Sequence, residues 1–215
     1  MYVPKHFAQV DMTQLHALMR AQPLATLVTL NAGELNANHI PLHLHPEPAP
    51  CGTLQGHVAR SNTLWTDLAD NESLAVFHGP NAYVSPSWYA TKRETGRAVP
   101  TWNYTAVHAY GRLRVIDDAE WLRTQIDALT ATHEAKLAQP WSPADAPADY
   151  IHGMLGAIIG IELVITRLIG KWKVSQNQPE VNRAGVVEAL LQQHDSDASA
   201  IAALVAAQKT PRTTP

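Results

Sequence analysis

Short segments of strand-favouring residues, joined by tight turns, restrict the fold of this chain more than any other feature. Residues 24–30 are rich in such residues, Asn31-Ala32-Gly33 predicts a turn, and residues 34–45 are predicted to return as the paired strand. Further extended segments are predicted over residues 52–58, 73–78, 83–84, 99–116 and 157–169. Helices interrupt this series without the regular strand–helix alternation of a doubly wound sheet. The order therefore predicts a mainly β fold of the α+β class, a small antiparallel β-barrel with peripheral helices.

Helices are predicted where apolar residues recur every three or four positions. The clearest one follows Asp117-Asp118, and its apolar stripe contains Leu122, Ile126, Leu129, His133 and Leu137. Others are predicted over residues 11–21, 61–68, 150–155, 180–193 and 195–208. Between these elements, Gly79-Pro80-Asn81 predicts a turn, residues 90–98 predict a polar loop, and Gly170 predicts the end of the last strand.

Composition and charge limit the class of protein. The chain has 215 residues, of which 46% are hydrophobic, so it can bury a sizeable core. We expect a main domain over residues 1–178, a helical extension over 179–208 that packs on it, and a flexible tail over 209–215. The net charge of −3 disfavours a surface that coats nucleic acid. The single cysteine, Cys51, and an apolar run over 154–165 that is too short to span a bilayer predict a cytoplasmic protein.

The common nucleotide and metal signatures are missing from the sequence. It contains no Gly-rich phosphate loop, no Cys-pair zinc motif and no His-Glu-x-x-His helix. His39, His43 and His45 are the best metal candidates, because His43 and His45 point the same way on a strand. They suit equally a solvated strand face or a pocket wall, and no carboxylate or cysteine accompanies them at ligand spacing. We therefore predict no metal site.

Four short segments combine an aromatic or imidazole ring with polar or cationic side chains. They cover residues 56–62, 83–89, 99–104 and 170–177, in a chain that has 6 Trp but only 2 Phe. A flat ring that bears a phosphate needs such groups: aromatic walls, amides and hydroxyls for its polar edge, and a cation for the phosphate. Flavin mononucleotide and pyridoxal phosphate both fit this description. Flavin is preferred, because covalent pyridoxal chemistry needs a desolvated lysine and neither Lys171 nor Lys173 lies in an apolar run.

These segments, with residues 1–7 and 38–41, resemble the PaiB-type FMN-binding negative transcriptional regulators. The resemblance extends from residue 1 to about residue 190, with the motifs in order. It implies an FMN-binding split β-barrel, a homodimer with the flavin at its interface, and repression of degradative-enzyme or sporulation genes. Three positions depart from the family pattern. Thr63 stands where the family often has a proline after the asparagine, here Asn62, and His43 and His45 replace more apolar residues.

The resemblance also suggests roles for individual residues. Arg60, with Lys171 or Lys173, would meet the FMN phosphate. Further cofactor contacts are assigned to Asn62, Ser85, Ser87 and Thr101, to the ring-wall residues Trp88, Tyr89 and Trp102, and to Asn103, Gln176 and Asn177 at the polar edge of the ring. Packing at a dimer interface is the alternative role for the tryptophans.

Three functions remain open at this level. The first is an FMN-binding regulator that represses transcription directly or through a partner, although no helix-turn-helix is visible and the C-terminal helices combine Arg183 with several acidic residues. The second is a flavin-dependent oxidoreductase that uses a nicotinamide or small-molecule donor, with His57 or Tyr89 as proton donor. The third is a haem- or metal-handling protein that uses the three histidines of residues 39–45.

Overall fold

The computed structural model describes residues 1–31, 33–66 and 71–208 of the chain. Within these ranges, eight strands and six α-helices alternate irregularly along the sequence. The strands are β1 (Ala8–Gln9), β2 (Leu24–Asn31), β3 (Glu34–Pro41), β4 (His43–His45), β5 (Thr53–Ala59), β6 (Glu72–Val84), β7 (Thr101–Ile116) and β8 (Ile158–Lys173). The helices are α1 (Met12–Ala21), α2 (Lys92–Thr95), α3 (Ala119–Glu134), α4 (Ala148–Gly156), α5 (Glu180–Leu191) and α6 (Ser196–Ala206).

The strands form one sheet in the order β3-β2-β6-β7-β8-β5-β4, with β1 paired to β8. The hairpin of β2 and β3 and the pairs β2–β6, β4–β5, β5–β8 and β1–β8 are all antiparallel. Strands β3 and β4 stand at the two ends of this order, so the sheet is not closed as a full barrel. The predicted mainly β, α+β class with an incomplete, split barrel is confirmed.

The chain divides into two compact units that share the three longest strands. The first unit contains Met1–Asp11, His78–Val107 and the chain from Ile169 onward, and the second contains Met12–Phe77 and His108–Leu168. The second unit buries large apolar residues of its helices and strands, namely Met19, Leu27, Leu54, Phe77, Leu122, Ile159, Ile161 and Leu163. Its helix α3 begins where the sequence predicts, because Asp118 caps it by accepting a hydrogen bond from Trp121 N at 2.7 Å.

The first unit is the one that contains the cavities considered below. Helices α5 and α6 pack together in it and bury Val186, Leu190, Ile201 and Val205. Asp195 caps α6 by accepting from Ala198 N at 2.8 Å. Helix α5 also contacts the 3-10 turn over Pro86–Trp88, which follows β6.

Two of the predicted chain breaks are wrong, and in both cases a distant partner explains the difference. The predicted turn at Gly79-Pro80-Asn81 lies inside the continuous strand β6, where the Asn81 N–H donates to Asp197 Oδ2 at 3.2 Å. Gly170 does not end β8, because Gly170 and Lys171 pair with β1. Backbone groups that would otherwise be unsatisfied thus find partners far away in the sequence.

Other predicted bounds change less. The predicted strand over 34–45 is divided into β3 and β4, and the predicted loop over 90–98 contains the short helix α2. The predictions for Ala32, for residues 67–68 at the end of the short predicted helix, and for the tail from Lys209 concern positions outside the described residues. Among the residues that the structure describes, no helix is long and apolar enough to cross a membrane.

Candidate functional site

A cavity of about 430 Å3 opens within the first unit. Its volume lies in the range of sites that bind small molecules and cofactors. Five residues singled out from the sequence line it: Tyr89, Thr101, Asn103, Lys173 and Asn177. The rest of the wall consists of Thr91, Arg97, Ala98, Val99, Pro100, Ser175, Gln178 and Asn182. The cavity therefore combines two cations, Arg97 and Lys173, with several amides and hydroxyls and a short apolar stretch.

Lys173 is the less exposed of the two cations that line this cavity, since Arg97 is exposed. Its half-buried Nζ donates a hydrogen bond to Thr101 Oγ1. Within residues 1–31, 33–66 and 71–208, no carboxylate lies within ion-pair distance of it. Burial, and then the neighbouring charge of Lys171, lower the pKa of Lys173, and the nearby Tyr104 acts in the opposite direction. A partly desolvated ammonium without a protein anion is suited to an anionic ligand.

Lys171 lies on the same face of β8 but is held differently. The residue is only 9% exposed, and its Nζ donates to the backbone oxygen of Tyr2 at 3.1 Å. The same ammonium lies 5.2 Å from the ring centroid of Tyr104 and 5.9 Å from that of Tyr2. Lys171 does not line the cavity. Its described contacts are with Tyr2 of the N-terminal segment and with the ring of Tyr104.

The turn after β8 is held by side-chain hydrogen bonds. Ser175 is buried and has a φ of 62°, in the left-handed region that L-residues seldom adopt. Its hydroxyl accepts from Asn103 Nδ2 at 2.9 Å. Gln176 bridges the turn, since its Oε1 accepts from Val174 N at 2.8 Å and its Nε2 donates to Trp172 O. These hydrogen bonds hold the turn so that Asn177 and Gln178 line the cavity. Gln176 does not line it, because its amide oxygen and nitrogen are both hydrogen-bonded to the backbone of the turn.

Tyr89 is a buried phenol on the cavity wall. It is 5% exposed, and burial raises the pKa of its hydroxyl. Among the described residues this hydroxyl has no hydrogen-bond partner, and its oxygen is not one of the fully buried polar atoms that lack a partner, so it stays accessible from the cavity. A phenol hydroxyl that can be reached from the cavity can form a hydrogen bond with a polar group of a ligand, so Tyr89 is a suitable contact.

Ser85 and Ser87 stabilise the short 3-10 turn that precedes Tyr89. The Ser85 hydroxyl accepts from Ser87 N at 3.2 Å, and the two hydroxyl oxygens are hydrogen-bonded at 2.7 Å. Trp88 belongs to the same turn and lines a different cavity of this unit. These three residues position the chain near Tyr89 and do not line the first cavity.

Trp102 lies outside the cavity. Its indole Nε1 donates to Asn81 Oδ1 at 3.0 Å, and its ring meets Tyr83 edge-on with centroids 5.9 Å apart. Trp102 is 50% exposed and Tyr83 is 46% exposed. The pair forms an exposed aromatic patch.

The segment after Tyr89 supplies wall residues that the sequence did not point to. Both the N–H and the hydroxyl of Thr91 donate to Asn182 Oδ1 of α5 at 3.1 Å. Asn182 is buried in α5 beside the buried Arg183, and its local sequence gives no signal that identifies it as a wall residue. Arg97, Val99 and Pro100 follow on the same segment and complete the wall.

Arg60 and Asn62 lie in the second unit, and all their described contacts are made there. The Arg60 guanidinium donates to both carboxylate oxygens of Asp117, at 2.9 and 2.6 Å, and to the backbone oxygens of Gly156 and Ile158. This pairing lowers the pKa of Asp117. Asn62 caps a 3-10 turn through Leu64 N and donates to Asn38 Oδ1. The assignment of these two residues to the cofactor stays a prediction.

The histidines also lie in the second unit. Burial, followed by the charges of His45, Arg20 and His133, lowers the pKa of His43. His39 Nδ1 is hydrogen-bonded to Thr26 Oγ1 at 3.2 Å. Across the described ranges, no three His, Cys, Asp or Glu side chains are grouped as a metal site would require.

The donor set of the first cavity fits a flavin mononucleotide. Lys173 and Thr101 offer a cation and a hydroxyl for a phosphate, and Val99 and Pro100 offer apolar surface for a ring. The unpartnered Tyr89 hydroxyl and the amide of Asn177 offer hydrogen bonds to the polar edge of that ring.

Comparison with known proteins agrees with this chemistry. A family model described as "Putative FMN-binding domain" matches residues 1–167. The "Protease synthase and sporulation protein PAI 2" of Bacillus subtilis is 29% identical over 206 residues, which cover 95% of this chain and 96% of that protein. An uncharacterized protein of Emericella nidulans is 34% identical over 87% of this chain and 89% of its own length.

Solved structures share the fold. The flavocytochrome Anf3 of Azotobacter vinelandii aligns with a TM-score of 0.54 and 18% identity, over 80% of this chain and 72% of that one. The FAD and heme binding protein of Mycobacterium smegmatis aligns with a TM-score of 0.55 and 17% identity, over 77% and 73%. At these identities the likeness concerns the fold alone. With the family match, the resemblance to PaiB-type proteins is confirmed, and the chain belongs to the FMN-binding domain family and takes FMN as its cofactor.

Proposed function

We propose that the chain binds FMN in the first cavity, with the phosphate at Lys173, and acts as a flavin-dependent regulator of transcription. The observation that carries this proposal is the half-buried ammonium of Lys173, which has no carboxylate partner in the described residues and lines a cavity of cofactor size. When bound, FMN supplies reversible electron uptake. The regulatory part is supported by similarity to the Bacillus subtilis sporulation protein.

The proposed roles follow the cavity wall. Lys173 and Thr101 bind the phosphate, and Val99 and Pro100 pack on the ring. Tyr89 and Asn177 donate hydrogen bonds, and Asn103 holds the Ser175 turn in place. The contacts assigned above to Arg60, Asn62, Ser85, Ser87, Trp88, Trp102, Lys171 and Gln176 remain sequence-based predictions.

FMN is expected to bind more tightly than riboflavin, by about 10- to 100-fold, because a hydrogen bond to a charged group contributes roughly 1.5–3 kcal/mol. Riboflavin has the same ring but no phosphate, so the ratio isolates the phosphate contact. Quenching of flavin fluorescence during titration of the flavin-free protein measures both affinities. Equal affinities would contradict a phosphate site, and no binding of either flavin would contradict the proposed cavity.

We propose that the FMN-loaded chain is a homodimer. The first unit exposes an aromatic pair, Trp102 and Tyr83, and Val99, which is 74% exposed, on the cavity wall. Exposed apolar and aromatic surface of this kind is typical of protein interfaces. In analytical ultracentrifugation, the FMN-loaded protein should sediment with the mass of two chains, and the flavin absorbance should move with the same boundary. A flavin-bearing monomer at micromolar concentration would contradict the dimer.

We propose that regulation operates through a partner and that helices α5 and α6 do not read DNA. Arg183, the basic residue of α5, is buried and donates to the backbone oxygen of Gln178 at 2.8 Å. Exposed acidic residues of α5 include Glu180 and Glu188, and the exposed Asp195 precedes α6 as its N-cap. Such a surface repels phosphate groups. Specific, salt-dependent binding of the purified chain to a promoter fragment would contradict this route.

A flavin-dependent oxidoreductase is the alternative function. The observation that favours it is the Tyr89 hydroxyl, a proton donor that lies on the cavity wall without a partner among the described residues. His57, the other candidate donor, is hydrogen-bonded to Gln125 Oε1 at 2.9 Å in the second unit. Oxidation of NADH or NADPH by the FMN-loaded protein would support the enzyme, and its absence would contradict it.

A further inference from the structure

A second cavity of about 430 Å3 lies in the first unit along one face of α5. The helix contributes Val181, Ala184, Gly185, Glu188 and Ala189, and its C-cap Gln192 follows on the same face. Residues 87–90 and Arg93 supply the remaining wall. This cavity is distinct from the proposed FMN site, and Tyr89 is the residue that lines both.

Close packing of α5 against the 3-10 turn shapes this cavity. A Cβ on Gly185 would lie 2.2 Å from the backbone oxygen of Trp88, far inside van der Waals contact. Glycine at this position lets the helix approach the turn closely. The two walls are therefore fixed relative to each other at this point.

The walls of the second cavity carry opposite charges. Arg93 belongs to α2 and Glu188 to α5, and both line the cavity. Both residues are exposed, and in the described residues neither side chain forms a hydrogen bond or an ion pair, so both are available to a ligand. Trp88 adds an aromatic surface beside the small side chains of Ala184 and Ala189.

We propose that this cavity binds a small zwitterion of the amino-acid class. Arg93 has the planar donor geometry that matches a carboxylate, and Glu188 accepts hydrogen bonds from an ammonium group. A zwitterion satisfies both charges at once, and a side chain of moderate size packs on Trp88 and the alanines. Since Tyr89 borders both cavities, an amino acid bound here stands next to the proposed flavin site and is suited to act as an effector of the regulator.

The test uses the full-length, FMN-loaded protein and three probes of the same carbon skeleton. L-Leucine carries both charges, 3-methylbutylamine lacks the carboxylate, and 4-methylpentanoate lacks the ammonium. Calorimetric titration should give an affinity for L-leucine at least about tenfold above that for either analogue, since each loses one charge-assisted contact.

Two variants with matched controls assign the contacts. Arg93→Gln and Glu188→Gln should each weaken L-leucine binding by about tenfold or more. Lys92→Gln and Glu94→Gln remove the same charges from exposed positions of α2 that do not line the cavity, and they should leave binding unchanged. Retention of FMN absorbance and an unchanged near-UV spectrum show that each variant is folded.

Three results would overturn the proposal. They are no heat of L-leucine binding, binding of the two analogues as tight as that of L-leucine, and wild-type affinity in both cavity variants. The first result together with a lowered melting temperature in both variants would identify a direct ion pair between Arg93 and Glu188 in place of a ligand site.

Discussion

Replacing Lys173 by methionine is expected to lower FMN affinity by about 10- to 100-fold and to leave riboflavin affinity unchanged. The substitution removes the ammonium from the cavity but keeps an unbranched, flexible side chain of similar length, so the packing of the stem is retained. Only a ligand with a phosphate should respond. Added salt should reproduce only part of this loss, because a half-buried charge is screened less than an exposed one.

Two further lysine variants complete this experiment. Lys92→Met removes a charge from an exposed position of α2 that does not line the cavity, and it should bind both flavins like the wild type. Lys171→Met tests the other candidate phosphate residue. Its ammonium is held by the Tyr2 carbonyl, so we expect a smaller loss of FMN affinity than in Lys173→Met.

Specific outcomes would contradict the assignment of Lys173. An unchanged affinity of Lys173→Met for FMN would place the phosphate elsewhere. An equal loss of FMN and riboflavin affinity, with a normal melting temperature, would show that Lys173 contacts the ring and not the phosphate. A larger effect of Lys171→Met on FMN alone would transfer the phosphate to that residue.

Gly111→Ala is expected to destabilise the protein by about 2–3 kcal/mol, at the upper end of the usual cost of overpacking. Gly111 is buried in β7, and a Cβ there would lie 2.2 Å from the backbone oxygen of Val164 and 2.7 Å from Leu163 Cδ2. The leucine can rotate away, but the carbonyl belongs to strand β8 and cannot move without distorting the sheet. A large fall in the urea midpoint measures the effect.

Gly153→Ala is the matched control for this substitution. Gly153 lies in helix α4, and a Cβ there would have no atom within 4 Å. Since alanine is the better helix former, this variant should gain up to about 1 kcal/mol. If Gly111→Ala unfolded at the wild-type urea concentration, the close approach of β7 and β8 at this point would be refuted.

Local signals predicted most elements of the fold. The predicted strand over 24–30 corresponds to β2, and the helix after Asp117-Asp118 begins at Ala119 with Asp118 as its cap. Alternation and capping depend on neighbouring residues, so they can be recognised without a structure. Gly79-Pro80-Asn81 and Gly170 misled the prediction because their outcome depends on Asp197 and on β1, which lie far away in the sequence.

The candidate site was predicted only in part, because local composition identifies some wall residues and the others are brought to the cavity by distant parts of the chain. Tyr89, Thr101 and Lys173 stand in segments whose aromatic and polar composition is unusual, and they line the cavity. Asn182 and Arg97 also line it, but each looks ordinary in its local sequence, one in a closing helix and the other in a polar loop.

The sequence by itself determined the chemistry of the chain: a strand-dominated fold, an FMN-type set of side chains and the family that shares them. Only the tertiary structure decided which of the candidate cations stands free in a cavity. Arg60 is matched by Asp117 and Lys171 by the Tyr2 carbonyl, whereas Lys173 has no carboxylate partner among the described residues. The physical reason for this division is that the type of a residue determines which groups its side chain can bind. Strand pairing and helix packing set which partners it meets and how much water it loses.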